Sequence, residues 1–82
     1  MTPQEIVEKY GYDYALLCAN GQLERNTKYL NTVNKNIVNA IKYDDQRAVE
    51  NNIRLANEIA TSITEDIALL NAAFDAMLKA LQ

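Results

Sequence analysis

Apolar side chains in the second half of the sequence recur at alternating steps of four and three residues, from residue 49 to residue 81. This spacing places them along one face of an α-helix. Its continuation over more than four heptads is typical of a seam along which helices pack. No strand-type alternation competes with it, so the pattern predicts a third helix from about Asp45 to Leu81. Its seam consists of Val49, Ile53, Ala56, Ala60, Ile63, Ile67, Leu70, Phe74, Met77 and Leu81.

A shorter seam of the same kind precedes it and predicts a second helix from about Gln22 to Lys42. One polar residue, Asn26, interrupts this seam. A polar residue at such a position either fixes the register of the packed helices or lies at a frayed helix end. The apolar members of the seam are Leu23, Leu30, Val33, Ile37 and Ala40.

The two seams are out of phase where they meet. Continued forwards, the second helix has its next core position at Asp44, whereas the third helix continued backwards has it at Gln46. This slip of two residues rotates the apolar face by about 200°, which one straight helix cannot accommodate. Asp44 and Asp45 are also favourable helix N-caps. We therefore expect a tight turn near Tyr43–Gln46 and an antiparallel hairpin, with one long kinked helix as the alternative.

The beginning of the sequence carries the signature of a helix start. Thr2 is suited to be the N-cap, Pro3 follows at the first helical position, and Glu5 stands three residues after the cap. These residues predict a first helix over about residues 3–19.

The only two glycines lie in the first quarter of the sequence. Gly11 is either tolerated within the first helix or ends it, with Asp13 capping a second segment. Asn20 and Gly21 both accept the left-handed backbone conformation, so they are predicted to end the first helix. Ile6, Tyr10, Tyr14 and Leu17 fall on one face of it.

The resulting fold class is all-α: an antiparallel helical hairpin with heptad seams plus a short N-terminal helical segment, resembling a three-helix bundle, in one domain over residues 1–82. The third helix is expected to extend about fifteen residues beyond the second, over 67–81. Only Asn71, Asp75 and Lys79 are polar there. A helix that is apolar nearly all round needs cover on several sides.

Cover from a second copy is therefore expected, as a homo-oligomer that is a dimer or larger. A domain this small has a marginal core, and a single cysteine allows no internal disulfide to support it. A monomeric three-helix bundle and cover by a different protein are the alternatives. The expected oligomer interface consists of Ile63, Ile67, Leu70, Phe74, Met77, Leu78 and Leu81.

The residue types argue against catalysis. There is no histidine, so Ser/His/Asp and Cys/His arrangements are excluded, and Cys18 is interpreted as a small buried hydrophobic residue. No glycine-rich phosphate loop or metal-ligand spacing occurs. The adjacent acids Asp44-Asp45 and Glu65-Asp66 are interpreted as caps and solvated surface, since neighbours in sequence point in different directions on a helix. We expect no enzymatic activity, no cofactor and no metal.

A net charge of −3 makes nucleic-acid binding unlikely, because such proteins normally carry a basic excess. No signal peptide or membrane-spanning stretch is recognised, so no membrane association is expected. The expected location is the cytoplasm, or the host cytoplasm if the gene is viral.

The second helix has an excess of positive charge, with four of the eight cations and one anion between residues 23 and 43. Lys28, Lys35 and Lys42 repeat every seven residues and Arg25 lies nearby, so they form a stripe opposite the seam. This stripe is either a docking surface for phosphates or an acidic partner, or an ordinary solvated face.

Tyrosines are concentrated near the beginning of the sequence, at Tyr10, Tyr12 and Tyr14. Their rings are suited to stack on a flat ligand while Arg25 and Lys28 bind a phosphate, which would fit a nucleotide-like ligand. The alternative interpretation is that Tyr10 and Tyr14 lie at the edge of the core and Tyr12 is exposed.

Three functional hypotheses follow. The first is a non-catalytic, self-associating helical protein that binds and modulates another macromolecule, an unidentified protein partner, by analogy with small phage-type inhibitors and adaptors. The second is an oligomeric protein that binds or sequesters a small molecule or nucleotide. The third and weakest is nucleic-acid binding through Lys28, Lys35 and Lys42.

Overall fold

The computed structural model describes all 82 residues and contains three helices and no strand. They are α1 (Pro3–Tyr10), α2 (Tyr12–Lys42) and α3 (Gln46–Ala80). The two long helices pack against each other as an antiparallel hairpin, and α1 packs against both of them. The predicted all-helical architecture with two packed long helices is therefore confirmed.

Side-chain caps begin two of the helices where the sequence predicts them. Thr2 and Glu5 form a reciprocal capping box at the start of α1. The Asp45 carboxylate accepts a hydrogen bond of 3.1 Å from the backbone N–H of Ala48 at the start of α3. Between the long helices, Asp44 adopts a left-handed backbone with φ of 55°. The expected tight turn, rather than one kinked helix, thus connects α2 to α3.

The two glycines have different roles in the structure, and only the role of Gly21 differs from the expected one. Gly11, with φ of 89°, separates α1 from α2, which settles the alternative left open for it. Asp13 lies in the first turn of α2 and does not cap it, because Gly11 is the capping residue. The predicted helix stop at Asn20 and Gly21 is wrong: both residues lie inside α2. Packing against α3 outweighs the weak local preference of these two residues.

The continuous α2 removes the expected overhang of the third helix. The side-chain amide of Asn26 donates a hydrogen bond to Asp66, which fixes the register of the antiparallel pair. Counting outward from this pair places Ala19 beside Ala73, and both are fully buried. The 31 residues of α2 therefore run beside nearly all 35 residues of α3.

The single chain has a small hydrophobic core. Only eight of 82 residues are buried, and no large side chain is fully buried. Three alanines, Ala15, Ala19 and Ala73, are the residues with no exposed surface at all. The molecule measures 56 × 19 × 16 Å with a radius of gyration of 16.7 Å. A compact protein of this length has a radius of gyration of about 12 Å, so the chain forms an elongated rod.

The packed face of α3 differs from the predicted seam. Half of that seam, at Val49, Ala56, Ile63, Leu70 and Met77, is half-buried. The other half is exposed, and the buried line runs instead through Ile59, Asp66 and Ala73. The cause is that apolar residues cover more than half of the circumference of α3, so several overlapping stripes satisfy the same spacing.

Candidate interaction surfaces

A stripe of exposed apolar residues follows the length of α3. We call it the α3 ridge, and it consists of Ile53, Ala60, Ile67, Phe74 and Leu81. The exposed fraction of the side chain is 46% for Ile53, 45% for Ile67, 47% for Phe74 and 83% for Leu81. Residues seven apart lie one above another on a helix, so the ridge is continuous.

The residues expected at an oligomer interface divide into two groups. Ile63, Leu70 and Met77 are half-buried within the single chain, where α3 faces α2. Ile67, Phe74, Leu78 and Leu81 are exposed. The second group therefore remains available to another molecule, although the expected overhang, which contained all of the seven residues except Ile63, does not exist.

The short helix α1 lies away from the α3 ridge. Gln4, Val7 and Glu8 of α1 line a depression together with residues of α3 that include Ala72 and Ala76. Each of these alanines is two residues from Phe74 and hence about 200° around the helix from it. The chain thus covers one side of α3 with its own α1 and leaves the other side open.

One side of α2 borders the same open side of the hairpin. Near the turn, Ile41 and Val49 line one depression, which places both on this side. Ile41 is 63% exposed. Leucine and isoleucine residues continue along this side of α2 in a half-buried state, at helical spacing from Ile41. They are Leu16, Leu23, Leu30 and Ile37.

A polar pair lies in the middle of the hairpin. The Nδ2 group of Asn26 donates a 2.9 Å hydrogen bond to Oδ2 of Asp66, whose side chain is only 4% exposed. Asn26 is thus half-buried between the packed helices and does not lie at a frayed end. The interpretation of Asp66 as solvated surface is wrong, because residue 66 follows Ile59 at heptad spacing on the buried line of α3. This heptad spacing from Ile59 is the feature of the sequence that could have identified Asp66 as buried.

The lysine stripe lies on the outward side of α2. Lys28, Lys35 and Lys42 are all exposed, and Lys28 forms an ion pair of 3.2 Å with Glu24 one turn earlier. Lys35 lines a shallow depression with Val38, which is 64% exposed, and three asparagines. We call this surface the outer α2 face and define it by Lys28, Lys35, Val38 and Lys42.

The tyrosines near the joint of α1 and α2 do not form one site with the basic residues. The rings of Tyr10 and Tyr14 lie 5.0 Å apart, and Lys9 lies over Tyr10. Tyr12 is half-buried, and Arg25 and Lys28 are exposed further along α2. Since α2 is continuous, Arg25 lies about 16 Å along the helix from Tyr14. The structure therefore does not bring the predicted stacking and phosphate-binding groups together.

The Tyr14 hydroxyl has a perturbed environment. A hydrogen bond with the half-buried Cys18 side chain, followed by charge interaction with it, raises the pKa of Tyr14 above 10.0. Partial desolvation and the neighbouring Tyr10 raise this pKa further.

No group of three or more carboxylate or thiol side chains is arranged to hold a metal ion. The length and apolar content that a bilayer crossing requires are not combined in any of the three helices. The candidate interaction surfaces are the α3 ridge and the outer α2 face. No family model, curated protein or solved structure matches this chain.

Proposed function

We propose that the chain is a non-catalytic helical protein that self-associates and, in the associated form, binds and modulates another macromolecule in the cytoplasm, as small inhibitors and adaptors do. The observation that supports this proposal is the α3 ridge. It leaves large apolar side chains exposed along a helix whose chain has few buried residues.

The energetics of burial favour association. Full burial of an Ile, Leu or Phe side chain stabilises a protein by about 1.5–3 kcal/mol relative to full exposure. The ridge members Ile53, Ile67 and Phe74 are each about half exposed. Burying the exposed half of each residue would therefore stabilise the associated form by about 1 kcal/mol. Few residues are buried within the single chain, and most of them are small. The free energy gained by burying the ridge would therefore be large relative to the free energy of unfolding of one chain.

The outer α2 face supports the binding of a partner. It combines three cations at heptad spacing with the exposed Val38 and lies on the side of α2 away from α3. Positive charge next to apolar surface suits an acidic protein partner with some apolar contact area. Because this face is separate from the α3 ridge, self-association leaves it accessible.

Light scattering over a hundredfold range of protein concentration tests self-association. We expect a mass of at least twice the 9.3 kDa of one chain at the higher concentrations. A mass of 9.3 kDa throughout the range would refute it.

Partner binding needs a separate test. A protein retained from a cell extract should bind the purified chain in calorimetry, with an affinity that falls as salt increases. The triple substitution Lys28→Glu, Lys35→Glu and Lys42→Glu should abolish this binding, whereas Lys79→Glu, a charge reversal on α3, should preserve it. Equal loss in both variants, or a salt-independent affinity, would exclude the outer α2 face as the binding surface.

A further inference from the structure

We infer that the α3 ridge is the contact between two copies of this chain, with the two α3 helices antiparallel around a twofold axis at Ile67. The inference rests on the proposed self-association and specifies its partner surface and direction. It follows from three features: the order of side-chain sizes along the ridge, the direction of the helix dipoles, and the surface area that the single chain leaves exposed.

The ridge is complementary to itself only in the antiparallel direction. Its members are spaced seven residues apart and centred on Ile67. An antiparallel copy with Ile67 at the axis brings the small Ala60 opposite the large Phe74 of the second copy, once on each side of the axis. Small residues facing large ones fill an interface without voids or overlap. A parallel copy would instead place Phe74 opposite Phe74 and leave a gap between two alanines.

Opposed helix dipoles favour the same direction, because an antiparallel pair places the positive start of each α3 helix beside the negative end of the other. A parallel pair would place like ends together.

The exposed area is of the size that a stable dimer removes. The chain exposes 6109 Å². A compact protein of its mass exposes about 5000 Å², so the excess is about 1100 Å². A standard interface buries about 800 Å² on each partner. A second copy along the ridge can therefore take up the excess surface without any other partner.

Cysteine cross-linking in the full chain tests the arrangement. In a Cys18→Ala background, which removes the native thiol, Ile67→Cys lies at the twofold axis. Mild oxidation should convert most of it to a disulfide-linked dimer. A mixture of separately prepared Ala60→Cys and Phe74→Cys chains should give the mixed dimer, and each chain alone should give little. The matched control, Val38→Cys on the outer α2 face, should remain uncross-linked. Circular dichroism of each variant verifies that it is folded.

The outcomes separate this inference from the proposed self-association. Cross-linking of Ala60→Cys to itself, or of Phe74→Cys to itself, would show a parallel pair and overturn the inference while self-association stands. A wild-type dimer without ridge cross-links in folded variants would move the interface elsewhere and also overturn it. A wild-type chain that is monomeric at all concentrations would refute both.

Discussion

Asp66 is the only charged residue in the interior, and its single side-chain hydrogen bond comes from Asn26. The two residues lie 40 positions apart in sequence and meet in the middle of the hairpin. A shift of one helix along the other would leave a buried carboxylate without a donor. The pair therefore contributes to specifying the register, which apolar contacts between similar side chains specify less strictly.

Asn26→Ala should lower the free energy of unfolding by about 2–3 kcal/mol, because the carboxylate of Asp66 stays buried without its hydrogen bond. Asn31→Ala, an exposed position on the same helix, is the matched control and should change the stability by less than about 0.5 kcal/mol. Urea denaturation at neutral pH measures both. Equal stability of the two variants would show that the pair does not support the packed helices.

Replacing both polar residues has a different expected outcome. Asn26→Leu combined with Asp66→Leu should equal or exceed the stability of the wild type, because apolar side chains of similar size avoid the cost of burying a charge. Thermal unfolding followed by circular dichroism would detect this. A double variant less stable than Asn26→Ala would contradict it.

The sequence revealed Asn26 but not Asp66. Asn26 interrupts an apolar seam, so its polarity is visible against the pattern. Asp66 lies beside Glu65 and next to the stronger seam position at Ile67, and so resembles ordinary surface charge. The positions of α1 and α2 determine whether the stripe of α3 through Asp66 or the one through Ile67 is buried. These positions depend on tertiary packing, which the local sequence of α3 does not contain.

At the scale of the elements, the N-cap residues predict the helix bounds better than the chain-breaking residues Asn20 and Gly21 do. The start of α1 and the turn before α3 are defined by side-chain hydrogen bonds within three residues, which a local sequence contains in full. Asn20 and Gly21 were a weaker signal. A glycine costs a helix interior about 1 kcal/mol, and packing along α2 exceeds this amount. The error at Gly21 also produced the false overhang.

The two glycines should respond oppositely to alanine. Gly21→Ala should raise the free energy of unfolding by about 0.5–1 kcal/mol, since the residue is helical and the added Cβ would meet only the Arg25 side chain at an ordinary 3.7 Å. Gly11→Ala should lower it by about 1 kcal/mol or more, because φ of 89° is unfavourable for alanine even though space is available. Urea denaturation of the two variants tests this. A gain in stability at Gly11 would contradict the break between α1 and α2.

Asp45 makes the largest local contribution expected at the turn. Asp45→Ala removes the N-cap of α3 and should lower the free energy of unfolding by about 1 kcal/mol. Asp45→Asn retains an oxygen acceptor and should be close to the wild type in the same measurement. If both substitutions have the same effect, the charge rather than the cap hydrogen bond is responsible.

At the scale of the molecule, the proposed association rests on shape and on exposed apolar surface. A rod 56 Å long with only eight buried residues exposes apolar surface along α3, on the side that α1 does not cover. The sequence predicted a need for cover but placed it on an overhang. In the structure the exposed apolar surface follows the whole ridge instead, because α2 reaches almost the full length of α3.

Sedimentation equilibrium of the wild type, Phe74→Glu and Val38→Glu tests whether the chain self-associates through the α3 ridge. Both substitutions introduce a charge at an exposed apolar residue, one on the α3 ridge and one on the outer α2 face. We expect the wild type and Val38→Glu to have at least twice the mass of one chain, and Phe74→Glu to have the mass of one chain. A wild type that sediments as a single chain, or a Phe74→Glu variant that associates as the wild type does, would contradict it.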